Sequence, residues 1–335
     1  MNWQALYERA LGAGESAAGY YNRNVGMDTG EGKVNVRIPL EAADTMDVRV
    51  WREEDVLACI APYVAQAPGL RHVSHRPRFQ VHHFVEGRVL DGFSPRGSAV
   101  PAHVMGDVVT LMEQLVRIPR EKAPDLPAGW PESGDGAGFG RVLAALTQQV
   151  YDAHRDEYAA VFAEFGIPAD PLAVVMARWD TLRSRPFVVL HSDLHRKNMI
   201  VSEGLTWFLD WELALWGDPL YELAIHFHKM DYPEDQRAEV LRQWRERLPS
   251  ACTVGPAADL ELYLAHERVK SAIVDTVRYS KQLADADTAT HAFLTGRLAR
   301  KLNVARAVWG APPDMTQAGV ARTLAPWGGS RPWTP

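Results

Sequence analysis

Three oxygen-bearing side chains follow predicted strands in one central segment of the chain. Asp193 lies in a polar loop that follows the apolar run 187–190, Asn198 lies five residues further on, and Asp210 closes the second strand of a predicted hairpin. Because strand ends can converge in a folded protein, these side chains can form one site. A few carboxylate and amide oxygens suit Mg²⁺, which completes its shell with water and phosphate oxygens. The segment therefore predicts a magnesium and phosphate site.

The spacing within this segment is that of a kinase catalytic loop. Residues 191–198 read HSDLHRKN, which reproduces the order His, any residue, Asp, four residues, Asn. The metal-binding Asp of protein kinases follows as Asp210 in Asp-Trp-Glu, and Gly-Asp-Pro comes next at 217–219. With these elements in this order, the chain resembles the aminoglycoside phosphotransferase family, which includes choline and other small-molecule kinases. The resemblance is strongest over residues 187–224.

The resemblance implies a fold and an activity. The fold class would be α+β: a two-lobed protein-kinase-like fold with a small antiparallel-sheet lobe, a larger helical lobe, and ATP with Mg²⁺ between them. By matching positions, Asp193 would orient and deprotonate the acceptor hydroxyl, while Asn198 and Asp210 would hold Mg²⁺. The enzyme would move the γ-phosphate of ATP or GTP to a hydroxyl of a small molecule.

Other residues of the segment would support this centre. The resemblance implies that His191 and Asp218 stabilise the loop and that Glu212 assists at the metal through water. The donors at 195–197 lie beside the loop, and one of them could touch the γ-phosphate. The three tryptophans nearby are expected in the core or in a pocket wall: Trp207, Trp211 and Trp216.

The nucleotide contacts are expected upstream. Arg37, on a predicted strand, stands where such enzymes keep a phosphate-binding Lys or Arg, and Glu53, which opens a predicted helix, would be its ion-pair partner. Arg49 is a rival for Arg37, since 47–51 also reads as a strand. The segment 19–24 would cover the phosphates, although it has no GxGxxG pattern. The hinge that bonds adenine through its backbone would include His83 and Val85.

The elements divide the chain into two parts. In the first ninety residues we predict two helices, at 2–12 and 53–64, and strands at 33–39 and 79–85. Residues 97–170 read as mostly helical around an exposed Pro/Gly-rich loop at 119–138, and 169–183 reads as another helix. The chain is helical again from Leu220. We therefore predict a nucleotide-binding lobe over 1–87 and a catalytic and acceptor-binding lobe over 88–335.

Composition limits the other function classes. The net charge of −6 argues against nucleic acid as a partner, and two cysteines give no disulfide framework. We find neither a signal-peptide pattern nor a stretch of about 18 apolar residues, so we expect a cytoplasmic protein without a membrane partner. Oligomeric state is not readable from the sequence.

Two alternatives and the acceptor stay open at this point. A metal-dependent hydrolase could use the cluster His191-x-Asp193-x-His195 together with His226 and His228, and a kinase-like chain could also be a non-catalytic binding protein. The helices after Asp218 show no surplus of carboxylates, and the tail carries tryptophan. We therefore expect an antibiotic, inactivated as a means of resistance, or another hydroxylated metabolite, with low positive charge.

Overall fold

The structure is a computed structural model that describes residues 1–14, 17–18, 22–40, 49–284 and 286–327. The α-helices are α1 (Trp3–Leu11), α2 (Glu53–Ile60), α3 (Ala102–Val116), α4 (Gly136–His154), α5 (Ala159–Phe165), α6 (Ala173–Met176), α7 (Pro219–Met230), α8 (Glu234–Arg247), α9 (Pro256–Leu283), α10 (Thr288–Val308) and α11 (Gln317–Leu324). Short 3₁₀ helices lie at Leu90–Gly92, Arg120–Lys122, Trp179–Thr181, Arg196–Asn198, Ser250–Cys252 and Ala325–Trp327. The strands are β1 (Ala17–Ala18), β2 (Asn22–Thr29), β3 (Gly32–Pro39), β4 (Leu70–His75), β5 (Arg78–His83), β6 (Arg88–Val89), β7 (Val188–Leu190), β8 (Met199–Ser202), β9 (Leu205–Phe208) and β10 (Leu215–Gly217).

The first part of the chain forms an antiparallel sheet with strand order β1-β2-β3-β5-β4. Alternate residues of β3, such as Val34, Val36 and Ile38, are buried in a small apolar core that α1 closes with Leu6 and Ala10. This alternation is the pattern expected of a strand with one face in a core. Strands β3 and β5 lie in the interior of the sheet, where neighbouring strands on both sides hold their side chains in place.

The second part is mainly helical and has its own, much larger core. Helix α9 packs against both α7 and α10, and its predicted core positions Val269, Ile273 and Val277 are fully buried. Two small sheets are set into this body: β7 pairs with β10, and β8 pairs with β6 and β9. The expected α+β architecture, a small antiparallel sheet beside a larger helical body, is therefore confirmed.

The connection between the parts runs through Gly87, whose φ of 138° favours glycine. A Cβ at this position would lie 2.5 Å from the carbonyl oxygen of Val201, so β6 can approach β8 only with glycine here. The lobe boundary at residue 87 stays a prediction. Helix α2 precedes that boundary, yet its apolar side chains belong to the larger core.

Several predicted elements differ in the structure. Helix α2 ends at Ile60 rather than Val64, because Pro62 has no N–H to continue the hydrogen-bond ladder, although Ala61 before it keeps helical backbone angles. The helix predicted over 169–183 is wrong: only α6 and a 3₁₀ turn form there, after Pro171. Residues 49–51 form no strand, while 47 and 48 lie outside the described residues.

The loop over 119–138 and the tryptophans are partly as expected. Trp211 and Trp216 are buried in the core, whereas Trp207 is half-buried. The loop is not simply exposed, since Trp130 packs against the core and donates its indole N–H to the Trp216 carbonyl at 3.0 Å.

Among the described residues, no helix has both the length and the apolar character needed to cross a membrane.

Candidate active site

The loop after β7 is built on a buried histidine. His191 Nδ1 accepts the Asp193 N–H at 3.3 Å, so Nε2 carries the proton and donates to the Leu209 carbonyl at 3.1 Å. Burial lowers the pKa of His191 to about 4, which keeps the ring neutral. The next residue, Ser192, has a φ of 60°, and its N–H donates to Glu222 Oε2 at 2.9 Å. These bonds fix the backbone that presents Asp193.

Asp193 is largely buried and is held from several sides. Lys229 Nζ contacts Oδ1, Asn198 Nδ2 donates to Oδ2 at 2.9 Å, and His195 Nε2 lies 3.5 Å from Oδ2. Burial would raise the pKa of Asp193, but the charge of Lys229 and then that of His195 hold it well below its usual range. The carboxylate is therefore ionised and available as a hydrogen-bond acceptor.

Asn198 and Asp210 each engage one side-chain polar atom in a hydrogen bond within the site. Asn198 uses its amide nitrogen on Asp193, and Asp210 accepts from Arg37 Nη2 at 2.5 Å through Oδ1. Within the part of the chain that the structure describes, Asn198 Oδ1 and Asp210 Oδ2 accept no protein hydrogen bond. Their backbones are adjacent, since the Leu209 N–H donates to the Asn198 carbonyl at 2.8 Å. Such a pair of oxygens fits Mg²⁺.

Arg37 lies among three carboxylates. Its guanidinium donates to Glu53 Oε1 at 3.0 Å, to Asp210 Oδ1 at 2.5 Å and to Glu212 Oε2 at 2.9 Å. Burial alone would lower the pKa of Arg37, but Glu53, Asp210 and Glu212 raise it further above its usual value. Arg49 is more exposed and lies 3.1 Å from Glu212 Oε2. Arg37, not Arg49, thus holds the position beside Glu53 that the sequence assigns to it.

Glu53 and Glu212 organise this corner of the site. Glu53 Oε1 also accepts the Trp211 N–H at 3.1 Å, which links α2 and β3 to the segment after β9. Glu212 Oε2 accepts a further bond from Asn22 Nδ2 at 3.1 Å. The contacts of Glu212 therefore position Arg37 and Arg49, and its expected role at the metal through water stays a prediction.

Asp218 is a fully buried anchor below the site. It caps α7 by accepting the Leu220 N–H at 2.9 Å, and it binds Arg185 through both oxygens at 2.8 to 3.0 Å. Tyr263 donates its hydroxyl to the same carboxylate at 2.9 Å, and Arg185 continues to Asp259 at 2.7 Å. This network fixes the start of α7, the helix that carries Glu222 and Lys229.

The predicted hinge lies at the end of β5. His83 uses its backbone N–H on the Gly69 carbonyl at 2.8 Å and pairs with Val34 of β3. Val85 lies beyond the strand, and no hydrogen bond joins its backbone to another described residue. Val85 is thus the better placed of the two for a backbone bond to a base. Residues 19–21, at the start of the segment expected to cover the phosphates, lie outside the described residues.

The histidines do not form the alternative metal centre. Both ring nitrogens of His226 form hydrogen bonds, Nδ1 with the Leu194 carbonyl and Nε2 with the Tyr232 hydroxyl, each at 3.0 Å. Both ring nitrogens of His191 are also engaged. In the described ranges, no three or more His, Cys, Asp or Glu side chains form a group that could hold a metal. The geometry of the described residues therefore does not support the hypothesis of a metal-dependent hydrolase.

Sequence reasoning missed two residues of the site and left a third open. Lys229, on the last turn of α7, contacts Asp193 from 36 positions away, a separation that no local motif signals. Glu222 was identifiable as an acidic residue within the otherwise apolar run PLYELAIHF. Arg196 is not available to a phosphate, because it is buried and donates to the carbonyls of Ser94, Ser98 and Met230.

A small antiparallel sheet beside a helical body, with this loop between them, defines a kinase-like phosphotransferase. The model of the Phosphotransferase enzyme family (APH) matches residues 15–253, and the chain belongs to that family. A comparison with curated proteins found no match.

Solved structures of similar fold come from small-molecule kinases. A choline/ethanolamine kinase family protein from Mesorhizobium loti is 15% identical with a TM-score of 0.55, and the match covers 98% of this chain and 99% of that one. Choline kinase LicA from Streptococcus pneumoniae is 14% identical with a TM-score of 0.57, covering 89% and 98%. An aminoglycoside phosphotransferase, APH(4)-Ia, in a complex with AMP-PNP and hygromycin B, is 15% identical with a TM-score of 0.56, covering 91% and 99%. At these identities the likeness establishes the fold.

Proposed function

We propose that the protein is a small-molecule kinase that transfers the γ-phosphate of ATP or GTP to an alcohol hydroxyl. The observation that carries the proposal is the chain of hydrogen bonds that links an ionised Asp193 to Asn198, the Asn198 backbone to the segment of Asp210, and Asp210 to the cation Arg37. Phosphoryl transfer needs positioning and positive charge more than covalent help, and these groups supply both.

Each side chain has a role in this proposal. Asp193 accepts the hydrogen bond of the acceptor hydroxyl and takes its proton as the new phosphate ester forms. Arg37, held by Glu53, turns its free edge to the nucleotide phosphates. Asn198 and Asp210 would hold Mg²⁺, which supplies neutralisation of the charge on the β- and γ-phosphates.

The depressed pKa of Asp193 favours orientation of the hydroxyl over early proton abstraction. A carboxylate with so low a pKa is a weak base, so proton transfer must come late, when the hydroxyl oxygen already bonds to phosphorus. A loose transition state has this order of events.

The nucleotide and the acceptor complete the proposal. Val85 is the proposed backbone partner of the base, with His83 beside it, and ATP is the proposed donor because one protein of the same fold was solved with AMP-PNP. The acceptor is a hydroxylated metabolite or an antibiotic, and the reaction takes place in the cytoplasm. Antibiotic resistance would be the consequence if the acceptor is a drug.

Nucleotide consumption tests the proposal directly. The purified chain, with Mg²⁺ and ATP or GTP, should release ADP or GDP in the presence of a hydroxylated acceptor, and mass spectrometry should find one added phosphate on that acceptor. Asp193→Asn should lower turnover roughly 10²- to 10⁴-fold. Asp180→Asn, a change at an exposed carboxylate, is the matched control and should leave turnover unchanged. Normal turnover in folded Asp193→Asn would refute the assignment.

A further inference from the structure

A group of basic side chains lies beside the end of α7, the helix whose Lys229 contacts Asp193. We call Arg96, Lys229, Arg297 and Lys301 the basic cluster. Arg96 joins the end of α7, since it donates to the carbonyls of His228 at 2.8 Å and Lys229 at 3.2 Å. Lys229 in turn contacts Asp193. The cluster is therefore joined to the loop of Asp193 through Arg96 and Lys229.

The cations of the cluster lie within electrostatic reach of one another. Burial lowers the pKa of Lys301, Asp275 opposes this, and the charges of Arg297 and Arg96 lower the pKa further. Arg96 is affected in the same way: burial lowers its pKa, Asp231 opposes the change, and Arg297 adds to it. Arg297 and Lys301 are four positions apart on α10 and therefore share one face of that helix, and the mutual lowering of these pKa values agrees with their proximity to Arg96.

The nearby carboxylates are already engaged elsewhere. Asp275 accepts from Lys301 and from the Ser271 hydroxyl at 2.7 Å, and Arg278 lies 3.9 Å away. Glu267 accepts from Lys270 at 2.6 Å and from Tyr221.

Asp231 gives the cluster little compensation. Its side chain is 59% exposed and lies 3.8 Å from Arg96, so water screens that pair. Positive charge on this wall therefore exceeds the negative charge that faces it.

Arg297 shows the imbalance most clearly. Its Nε atom is shielded from solvent and has no hydrogen-bond partner among the described residues. Within the same described ranges, Arg297 forms no salt bridge, and its guanidinium lies 5.9 Å from the ring centre of Phe293. A partly buried guanidinium without an acceptor is costly, so the site is suited to a ligand that brings an anion.

We propose that the acceptor carries an anionic group, a carboxylate or a phosphate, which Arg297 binds together with Arg96 and Lys301 while the reacting hydroxyl lies at Asp193. This proposal rests on the proposed kinase function, because it assigns the substrate class of the same site. Lys229 links the cluster to the catalytic loop, because its backbone carbonyl accepts from Arg96 and its side chain contacts Asp193.

Binding of four probes that share one carbon skeleton tests the proposal. Gluconate carries a carboxylate, glucose 6-phosphate a phosphate, glucose no charge and glucosamine a cation. Affinities are measured by calorimetry on the full chain with Mg²⁺ and saturating non-hydrolysable ATP analogue, so that the anions cannot occupy the nucleotide phosphate site. We expect at least one of the two anions to bind more tightly than glucose, and glucosamine to bind most weakly. The more tightly bound anion distinguishes a carboxylate site from a phosphate site.

Variants then assign the preference to the cluster. Arg297→Ala should weaken the preferred anion about 10- to 100-fold without changing glucose binding, and Arg297→Lys should retain part of the affinity. Arg300→Ala, on the exposed face of the same helix, is the matched control and should bind as the wild type does. If the anion is phosphorylated, Arg297→Ala should raise its KM and leave kcat nearly unchanged.

Two results would overturn the inference. One is a wild type that binds neither anion better than glucose at millimolar concentration, and the other is an anion affinity that Arg297→Ala leaves intact. Failure of the kinase proposal is a separate result, namely a chain that binds no nucleotide. The comparison of wild type with Arg297→Ala would still decide the anion site in that case.

Discussion

Replacing Glu222 with Gln should remove a pH-dependent loss of stability. Burial raises the pKa of Glu222 from 4.5 to about 7 in the folded chain, while hydrogen bonds from the loop backbone oppose the rise. The unfolded chain releases the proton near pH 4.5, whereas the folded chain keeps it until about pH 7. The contribution of Glu222 to stability is therefore fully present below pH 4.5 and is lost as the pH rises to 7.

The magnitude follows from the two pKa values. Linkage gives a total loss of about 3.4 kcal/mol, of which about 2.5 kcal/mol falls between pH 5 and pH 8. In the wild type the Ser192 N–H donates to Glu222 Oε2 at 2.9 Å. In Glu222→Gln the amide oxygen can still accept this hydrogen bond, and no charge is buried. The free energy of unfolding of the wild type should thus fall by about 2.5 kcal/mol relative to the variant over this range.

Chemical denaturation at several pH values measures this difference. Glu234→Gln, at an exposed position, is the control and should give a curve parallel to that of the wild type. Parallel curves for the wild type and Glu222→Gln between pH 5 and pH 8 would refute the reasoning. They would mean that Glu222 is ionised in the fold or that the folded chain opens to water around it.

Three further predictions concern the cleft. Asp210→Ala should abolish Mg²⁺-dependent nucleotide turnover, and an active variant with unchanged Mg²⁺ dependence would remove Asp210 from the metal site. Arg37→Ala should lower kcat/KM for the nucleotide about 10- to 100-fold, and a larger loss in Arg49→Ala would reverse this assignment. Lys229→Met should raise the pKa of Asp193, because the main opposing charge is gone, so the acidic limb of the kcat/KM profile should move to higher pH. An unmoved limb would contradict the Asp193–Lys229 contact.

The loop that carries Asp193 and Asn198 was predictable because its geometry is local. The spacing between Asp193 and Asn198 places both side chains on one tight loop, whatever the rest of the chain does. Arg37 and Glu53 were predictable from the order of the elements, since the middle strand of a small sheet and the first turn of the next helix face each other.

Other features depend on tertiary packing and could not be read locally. Lys229 reaches Asp193 only because α7 starts at Asp218 and continues through three turns before its last residues face the loop. Strand β4 was missed because it is a half-exposed edge strand, rich in polar residues, with weak alternation. The helix predicted over 169–183 had apolar periodicity, but two short turns bury Val175 and Trp179 instead.

The placement of α2 has a consequence for control of the enzyme. Glu53, in the first turn of this helix, holds Arg37. Four apolar side chains of the helix and of the turn after it are buried in the larger core: Val56, Leu57, Ile60 and Val64. Swinging α2 outward to break that ion pair would expose all four, at roughly 1.5–3 kcal/mol each. The packing of α2 itself therefore holds the ion pair together, and any motion that separates Arg37 from Glu53 through this helix has to overcome that packing.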